Sequence, residues 1–349
     1  MRERPFVLPL LVLVLVMGLS RPPPAHADVA IDVTLGEGAQ DLADDLGIDV
    51  DELRARARDA IAAGLNLVDV RAYLQSFGDG TSFAARGTGV DYASNSELFT
   101  FGVAAGVGVD LEGVANDNDF SAGVGGTFTI MGGLNLARWH HRELSVFGNF
   151  FHSSTDDGVL RGGLLSLGAH VQYKLFQPTK GLKRLLAQWG GIDFTGGLEL
   201  SRWHLSVGDE VGTAFDIEGD NGRGATLDAR VDGHFGLSTT TVVLPVEVTT
   251  NVRLLYLLGL YVGAGLDLQV GRSSVDVGLG GDVTTTLDGD TRTIASIQVN
   301  ANEGRRPSIV QAHALLGLQL NLWKLKFFVQ TTMMPVSTVG FSTGLRLAW

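Results

Sequence analysis

The chain ends in STVGFSTGLRLAW, residues 337–349, a stretch in which large apolar residues occupy alternate positions. Thr343 is the one polar residue in this series, whose other members are Val339, Phe341, Leu345, Leu347 and Trp349. The intervening positions are small or polar and include a single charged residue, Arg346. Because successive side chains of a β-strand point to opposite faces, the stretch predicts a strand with one continuous apolar face.

This strand resembles the closing strand of a bacterial outer-membrane β-barrel, which typically ends in Phe or Trp. The resemblance implies a porin-like transmembrane architecture in a Gram-negative cell envelope. It also implies that the barrel insertion machinery reads the C-terminal strand, and that outer-membrane lipids surround the apolar face. The resemblance is to such barrels in general and to no particular subfamily.

The amino terminus has the features of a signal peptide over residues 1–27. Arg2 and Arg4 precede an apolar run over 6–19, and Ala25-His26-Ala27 is a small-x-small cleavage site. The alternative, an uncleaved membrane helix, needs about 20 apolar residues, more than this run provides. We therefore expect export through the periplasm and a mature chain that begins at Asp28. The chain has no cysteine, which excludes a lipid-anchored cleavage product and any disulfide.

Composition favours membrane strands and disfavours nucleic acid as a partner. The formal charge is −12; removing residues 1–27 takes away three arginines and one glutamate, leaving 23 basic and 37 acidic residues, or −14. Binding to the phosphates of nucleic acid requires clustered basic residues, so an acidic chain is a poor nucleic-acid partner. The chain is 45% hydrophobic, but after the signal peptide it contains no apolar run of the ~18 residues that a membrane helix requires. The 47 glycines are about twice the average usage and suit tight turns and a crowded inner face.

Residues 28–96 predict helices rather than barrel strands. Asp49 is a good N-cap for a helix over 50–65, and a second helix is predicted over 67–77, ended by Gly78. Residues 81–96 have the composition of a linker. Two such short helices bury little core by themselves. We interpret the segment as a small helical periplasmic unit packed under the barrel; the alternative is a plug that enters the lumen.

Residues 97–349 show the two-residue period of a transmembrane, antiparallel, up-and-down β-barrel. About ten strands are predicted, near 97–109, 124–136, 143–153, 165–175, 192–207, 235–250, 254–270, 310–322, 325–332 and 337–349. A change of parity after Ser201 suggests a bulge, and 177–190 suggests an interfacial helix. Two long loops are expected, 208–234 and 271–307. If a hairpin around 287–290 also spans the membrane, the strands number about twelve. A soluble sandwich or barrel also alternates and is the remaining alternative.

The tryptophans orient the predicted barrel. Four of them fall at the strand ends that short turns assign to the periplasm, where amphipathic rings anchor at the interface: Trp139, Trp189, Trp323 and Trp349. Trp203 alone falls toward the outer end.

The inward parity places a set of ionisable residues in the lumen: His170, Lys174, Asp193, Glu199, Asp267, His313 and Arg346. A barrel of about eight to ten strands has an interior that side chains nearly fill, whereas open diffusion channels use about 16 to 18 strands. These charges are therefore interpreted as structural pairs, and a narrow channel for small solutes is the alternative. For Arg346 we expect an acidic partner such as Asp193, Glu199 or Asp267.

A hydrolytic site is the alternative from another functional class. His152 and Ser154 lie near the predicted outer end of a strand and resemble the His-x-Ser pair of outer-membrane lipid A deacylases. Such a site needs a histidine that activates serine and an acid that orients it, here Asp156 or Asp157. No zinc spacing or phosphate-binding loop occurs, so no metal or cofactor is predicted. The favoured function is a non-enzymatic membrane protein, either a narrow channel or a structural surface scaffold.

Overall fold

A computed structural model describes residues 28–36, 39–55, 70–93, 98–111, 123–176, 186–218, 224–287, 290–334 and 338–349. The strands are β1 (Asp28–Leu35), β2 (Phe99–Asp110), β3 (Gly123–Asn135), β4 (Leu144–Asp156), β5 (Leu160–Phe176), β6 (Ala187–Glu218), β7 (Gly224–Leu254), β8 (Leu258–Leu287), β9 (Asp290–Arg305), β10 (Val310–Leu322), β11 (Leu325–Met333) and β12 (Thr338–Ala348). Helices α1 and α2 cover Ala39–Leu46 and Val70–Ala84, residues 50–55 are also helical, and a 3-10 turn covers Leu136–Trp139.

Ten of these strands close into a barrel in the order β2-β3-β4-β5-β6-β7-β8-β10-β11-β12, and β12 pairs back with β2. Every neighbouring pair is antiparallel. At the closure, the backbone amides of Phe99 and Trp349 each donate to the other residue's carbonyl, at 2.8 and 3.0 Å. Closure leaves the ring no unpaired edge, which lipid would not tolerate. The predicted ten-stranded barrel is confirmed.

The outer face is apolar because the strands alternate strictly. Along β10, exposed Val310, Leu316 and Leu318 alternate with buried Gln311 and His313. The closing strand follows the same rule, with Phe341 and Leu345 exposed and Arg346 only 1% exposed. In the described parts of the chain, no helix has the length and apolarity that a membrane crossing by a helix requires. The exposed apolar side chains of β10 and β12 belong to the outer apolar band that is typical of transmembrane barrels.

The two ends of the barrel differ. We call the end with the tight turns the short-turn rim; it carries the turns Leu136–Trp139, 255–257 and 323–324 together with Trp349. We call the opposite end the long-strand rim. There β6, β7 and β8, which are 32, 31 and 30 residues long, continue past the ring. The distal half of β8 pairs with β9, and β9 pairs with β1.

Several local predictions are corrected by these strands. The expected loops at 208–234 and 271–307 are mostly strand, because their backbones continue the β6–β7 and β8–β9 ladders. The hairpin near 287–290 lies outside the ring, so it adds no barrel strand. The irregularity of β6 falls between Trp189 and Ile192, and the register is continuous at Ser201. Of the predicted interfacial helix, residues 177–185 lie outside the described residues and 187–190 belong to β6.

The structure corrects the predicted form and packing of residues 28–96, which were expected to be a helical unit packed under the barrel. Residues 28–35 form strand β1, paired with β9 beyond the ring, and α2 packs inside the barrel against β2, β3 and β12. The helix over 50–65 begins as predicted, since the amide of Asp51 donates to the Asp49 side chain at 2.7 Å, but 56–69 lie outside the described residues. The plug alternative describes α2 correctly.

Candidate functional site in the barrel lumen

The lumen is occupied by the chain's own residues 74–93, which we call the lumen segment. It consists of the last part of α2 and the irregular stretch that follows, and every residue from 76 to 93 is buried. Gly87, at φ 70°, lies in the turn after α2, where a Cβ atom would come within 1.9 Å of Gln330 Nε2. Glycine is suited to that backbone conformation and that close approach.

One wall of the lumen is lined by glycines, and the backbone of α2 lies directly on them. A Cβ atom at Gly106 or Gly108 would lie 2.0 Å from the carbonyl oxygen of Ala84 or Gly80, respectively. On β3, a Cβ atom at Gly125 would lie 2.3 Å from Thr81 Cα. No side chain can fit between the helix and this wall. The alternating glycines of β2 and β3 therefore create the groove in which α2 lies.

The opposite wall carries charge, and Arg86 is its central partner. The Arg86 guanidinium bonds Glu199 at 2.7 Å and lies 2.9 Å from Asp267, so it bridges β6 and β8. His170 Nε2 lies 3.3 Å from the second oxygen of Glu199. All four side chains are buried. Because buried charges require partners, this cluster ties the lumen segment to the barrel wall.

His313 extends the same cluster to a third carboxylate. Its Nε2 lies 3.1 Å from Glu247 Oε1 and its Nδ1 lies 3.1 Å from Asp267 Oδ2. Both ring nitrogens therefore face a carboxylate oxygen, one on β7 and one on β8. The Tyr92 hydroxyl donates to the other oxygen of Glu247. Arg86, His313 and His170 therefore face Glu199, Glu247 and Asp267 in a compact charged network.

Arg346 of the closing strand holds the end of the lumen segment. It lies 3.3 Å from Asp91, donates to the Val90 carbonyl at 2.6 Å, and stacks on the Phe328 ring at 3.7 Å. The expected partners Asp193, Glu199 and Asp267 were wrong. The physical reason is that the lumen segment fills the barrel and brings Asp91 next to Arg346.

The seven residues expected in the lumen are all turned inward and mostly buried: His170, Lys174, Asp193, Glu199, Asp267, His313 and Arg346. Four of them, His170, Glu199, Asp267 and His313, belong to the Arg86 network, and Arg346 contacts Asp91 of the lumen segment. Lys174 pairs with Asp193 at 2.7 Å and donates to the Gly190 carbonyl, close to the short-turn rim. This pair lies apart from the Arg86 network.

Sequence reasoning missed the partners supplied by the lumen segment, which are Asp79, Arg86, Asp91 and Tyr92. It also missed Glu247 on β7. Glu247 has the same inward parity as Val243, and this alternation in the sequence could have placed it in the lumen. Asp79 accepts from the Ser308 amide at 2.9 Å and from Gln311 at 2.8 Å. It therefore fixes the lumen segment at the long-strand rim.

The four tryptophans expected as interface anchors all lie at the short-turn rim. Trp139, Trp189, Trp323 and Trp349 are exposed, with Trp189 donating to Thr250 Oγ1 at 2.9 Å. Trp349 packs on Phe99 with ring centroids 4.9 Å apart.

The candidate hydrolytic residues do not form a built site. His152 and Ser154 are both exposed on β4 and share the outward parity of Phe150. Asp156, one acid expected to orient the histidine, lies 3.2 Å from Arg161 instead. Among the residues the structure describes, no group of three or more His, Cys, Asp or Glu side chains could hold a metal ion.

The closed ring, the apolar outer face and the filled lumen define an outer-membrane type β-barrel whose interior is occupied by its own chain. The chain belongs to the Lsa36-like family, whose sequence pattern matches residues 26–349. A comparison with curated proteins finds no match.

Solved outer-membrane barrels share low similarity with the chain. The translocator domain of the autotransporter NalP from Neisseria meningitidis is 9% identical, with a TM-score of 0.32, over 81% of this chain and 98% of that chain. Ail, the attachment invasion locus protein of Yersinia pestis, is 10% identical, with a TM-score of 0.22, over 72% and 98%. A Pseudomonas aeruginosa FadL homologue is 10% identical, with a TM-score of 0.22, over 79% and 98%.

Proposed function

We propose that the protein is a non-enzymatic, closed outer-membrane barrel that acts as a structural scaffold and holds β-structure above the cell surface. The observation that carries this proposal is the filled lumen, in which residues 76–93 are all buried and Arg86 and Asp91 pair with the walls. A narrow channel needs a continuous aqueous path. The lumen segment occupies that path from the level of Asp79 to the level of Ala93.

The long strands support the scaffold function. About 9–11 tilted residues suffice for a strand to cross the bilayer, and β6, β7 and β8 have 30 or more. The parts of these strands beyond the bilayer-spanning length carry exposed charges such as Asp228, Arg230 and Asp232, which are unfavourable in hydrocarbon. We therefore assign the long-strand rim to the cell surface and the short-turn rim, with its aromatic residues, to the periplasm. Outer-membrane lipids and, through β12, the insertion machinery are the proposed partners.

Planar-bilayer recording of the purified full chain tests the closed state. We expect no discrete conductance steps from protein whose folding is verified by the shift in gel migration on heating. A Gly108→Leu variant, in which the leucine side chain overlaps α2, is expected to conduct and shows that the assay detects an open barrel. Stable steps from the unaltered protein would contradict the proposal and favour the channel.

The non-enzymatic part of the proposal has its own test. The exposed outward position of His152 and Ser154 supports the absence of a hydrolytic site there. We expect no release of fatty acid from lipid A by the folded protein, measured against a deacylase as positive control. Acyl-hydrolase activity that disappears in His152→Ala would establish the alternative function.

A further inference from the structure

We infer that the chain is threaded through its own barrel, so that the lumen is the route by which the amino-terminal segment, residues 28–55, crosses the membrane and is displayed beyond the long-strand rim. To say which rim faces the outside of the cell, the inference rests on the orientation given under the proposed function. The threading itself rests on the positions of three parts of the chain: β1 at the long-strand rim, the lumen segment inside the ring, and the start of β2 at the short-turn rim.

The amino-terminal segment begins at the long-strand rim. Strand β1 pairs with β9, from Asp28 opposite Asn302 to Leu35 opposite Ala295. Strand β9 in turn pairs with the distal half of β8, from Ser273 onward, beyond the level at which β10 joins the ring. The amide of Gly36 donates to the Ile294 carbonyl at 2.7 Å, and α1 lies against β9. Residues 28–46 are therefore outside the ring at this end.

The lumen segment then runs from that rim to the other. Its successive partners on β8 descend toward the short-turn rim: Gly78 lies against Ser273, Arg86 pairs with Asp267, and Tyr92 packs on Tyr261 with ring centroids 5.8 Å apart. Strand β8 starts at Leu258, next to the short turn. These three contacts with β8 fix the direction of the lumen segment, which passes through the whole height of the ring.

The barrel begins where the lumen segment ends. Ala93 accepts from Arg253 at 3.4 Å, one residue before the end of β7 at the short-turn rim. Strand β2 starts at Phe99 on the same rim, paired with the C-terminal Trp349. Residues 28–46 and the start of β2 are thus at opposite ends of the ring, joined through the lumen segment.

A path through the lipid is excluded by the chemistry of the segment. Residues 39–55 carry exposed charged side chains, among them Asp41, Asp51 and Arg54, and the last two form an ion pair at 2.8 Å. Charged groups and unpaired backbone groups are both strongly disfavoured in hydrocarbon. The glycine groove and the charged wall instead provide a polar, fitted passage for α2 and Arg86.

The absence of cysteine allows single-cysteine reporters in the full chain. Gln40→Cys reports on exposed α1, Asp157→Cys on the β4–β5 turn at the long-strand rim, and Lys324→Cys on the short-turn rim. Intact cells that express each variant are treated with a membrane-impermeant maleimide, and labelling is compared with that after lysis. We expect Gln40→Cys and Asp157→Cys to label fully in intact cells and Lys324→Cys to label only after lysis.

The two control positions separate the inference from the proposed function. If Gln40→Cys labels together with Lys324→Cys, the threading is wrong, whatever the orientation. If Lys324→Cys labels in intact cells and Asp157→Cys does not, the proposed orientation is wrong, while Gln40→Cys still decides the threading. If all three behave alike, the barrel does not separate two compartments and both proposals are wrong. Glu52→Cys, on the helical residues 50–55, gives a second reporter should Gln40→Cys assemble poorly.

Discussion

The two walls of the lumen hold the same segment by different means. The glycine wall, where Gly106 and Gly108 of β2 and Gly125 of β3 face the lumen, presents its backbone to α2, which contacts it closely through Gly80, Thr81 and Ala84. The charged wall, formed by β5 to β8 and β10, binds Arg86 through Glu199 and Asp267. On the glycine wall, an added side chain would clash with α2. On the charged wall, removing one charged side chain would leave its buried partner unpaired. The walls should therefore respond to opposite kinds of substitution.

The largest effect is expected from added volume on the glycine wall, in Gly108→Leu. The Cβ atom would lie 2.0 Å from the Gly80 carbonyl oxygen and 2.7 Å from the Ala84 amide, and neither backbone atom can rotate away. Overpacking costs roughly 1–3 kcal/mol where side chains can adjust, and here they cannot. We expect α2 to leave the groove, which opens the lumen and gives conductance in planar bilayers.

The neighbouring Val107→Leu is the matched control, since Val107 is exposed on the outer face. It should assemble and remain closed like the unaltered protein. A Gly108→Leu barrel that stays closed and equally resistant to heat would show that α2 does not need the glycine groove.

The second largest effect is expected from loss of charge on the opposite wall, in Arg86→Met. Removing the guanidinium leaves Glu199 and Asp267 buried with no arginine partner. Breaking a buried ion pair in this way costs about 3–5 kcal/mol. The measurement is the free energy of unfolding by urea in detergent micelles or lipid vesicles.

Arg161→Met controls for the loss of an arginine as such, because the Arg161–Asp156 pair is solvent-exposed. An exposed pair contributes about 0–1 kcal/mol, so this variant should be almost unchanged. Equal destabilisation by the two substitutions would mean that burial in the lumen does not strengthen the Arg86 pairs.

A smaller effect is expected when charge is kept but geometry is lost, in Arg346→Lys. Lysine can still face Asp91, but it lacks the fork that also reaches the Val90 carbonyl and the planar group that stacks on Phe328. We expect a loss of roughly 1.5–3 kcal/mol, the range for a hydrogen bond to a charged group. A double-mutant cycle with Asp91→Asn measures the coupling. An additive cycle would show that Arg346 acts on the backbone carbonyls rather than on Asp91.

The barrel itself could be predicted because lipid imposes a strict two-residue period. The closing strand shows this most clearly, with Phe341 and Leu345 outward and Arg346 inward. Even the inward parity of His170, Asp267 and His313 follows from that rule alone, since each lies between apolar neighbours on a lipid-facing strand.

The lumen segment could not be placed by the same reasoning. The helix was predicted to end at Gly78, yet α2 continues to Ala84, because Gly80 packs against the Gly123 backbone of β3 and tertiary contact outweighs local propensity. Its buried polar residues, Asp79 among them, look like a solvated surface until the barrel supplies their partners. The local sequence pattern around Asp79 does not reveal that its partners are Ser308 and Gln311, which lie far away in the sequence.

The smallest effect separates the two roles that glycine has in one strand. Gly132 and Gly125 both lie on β3, but a Cβ atom at Gly132 has no atom within 4 Å, whereas at Gly125 it would lie 2.3 Å from Thr81 Cα. Gly132→Ala should stabilise the barrel by about 0.4–1 kcal/mol, because alanine restricts the unfolded chain. Gly125→Ala should destabilise it, because the added methyl meets the helix backbone. Urea unfolding of the two variants side by side provides the measurement. If both stabilise the barrel, the glycines of β3 do not make the groove and α2 is held by the charged wall alone.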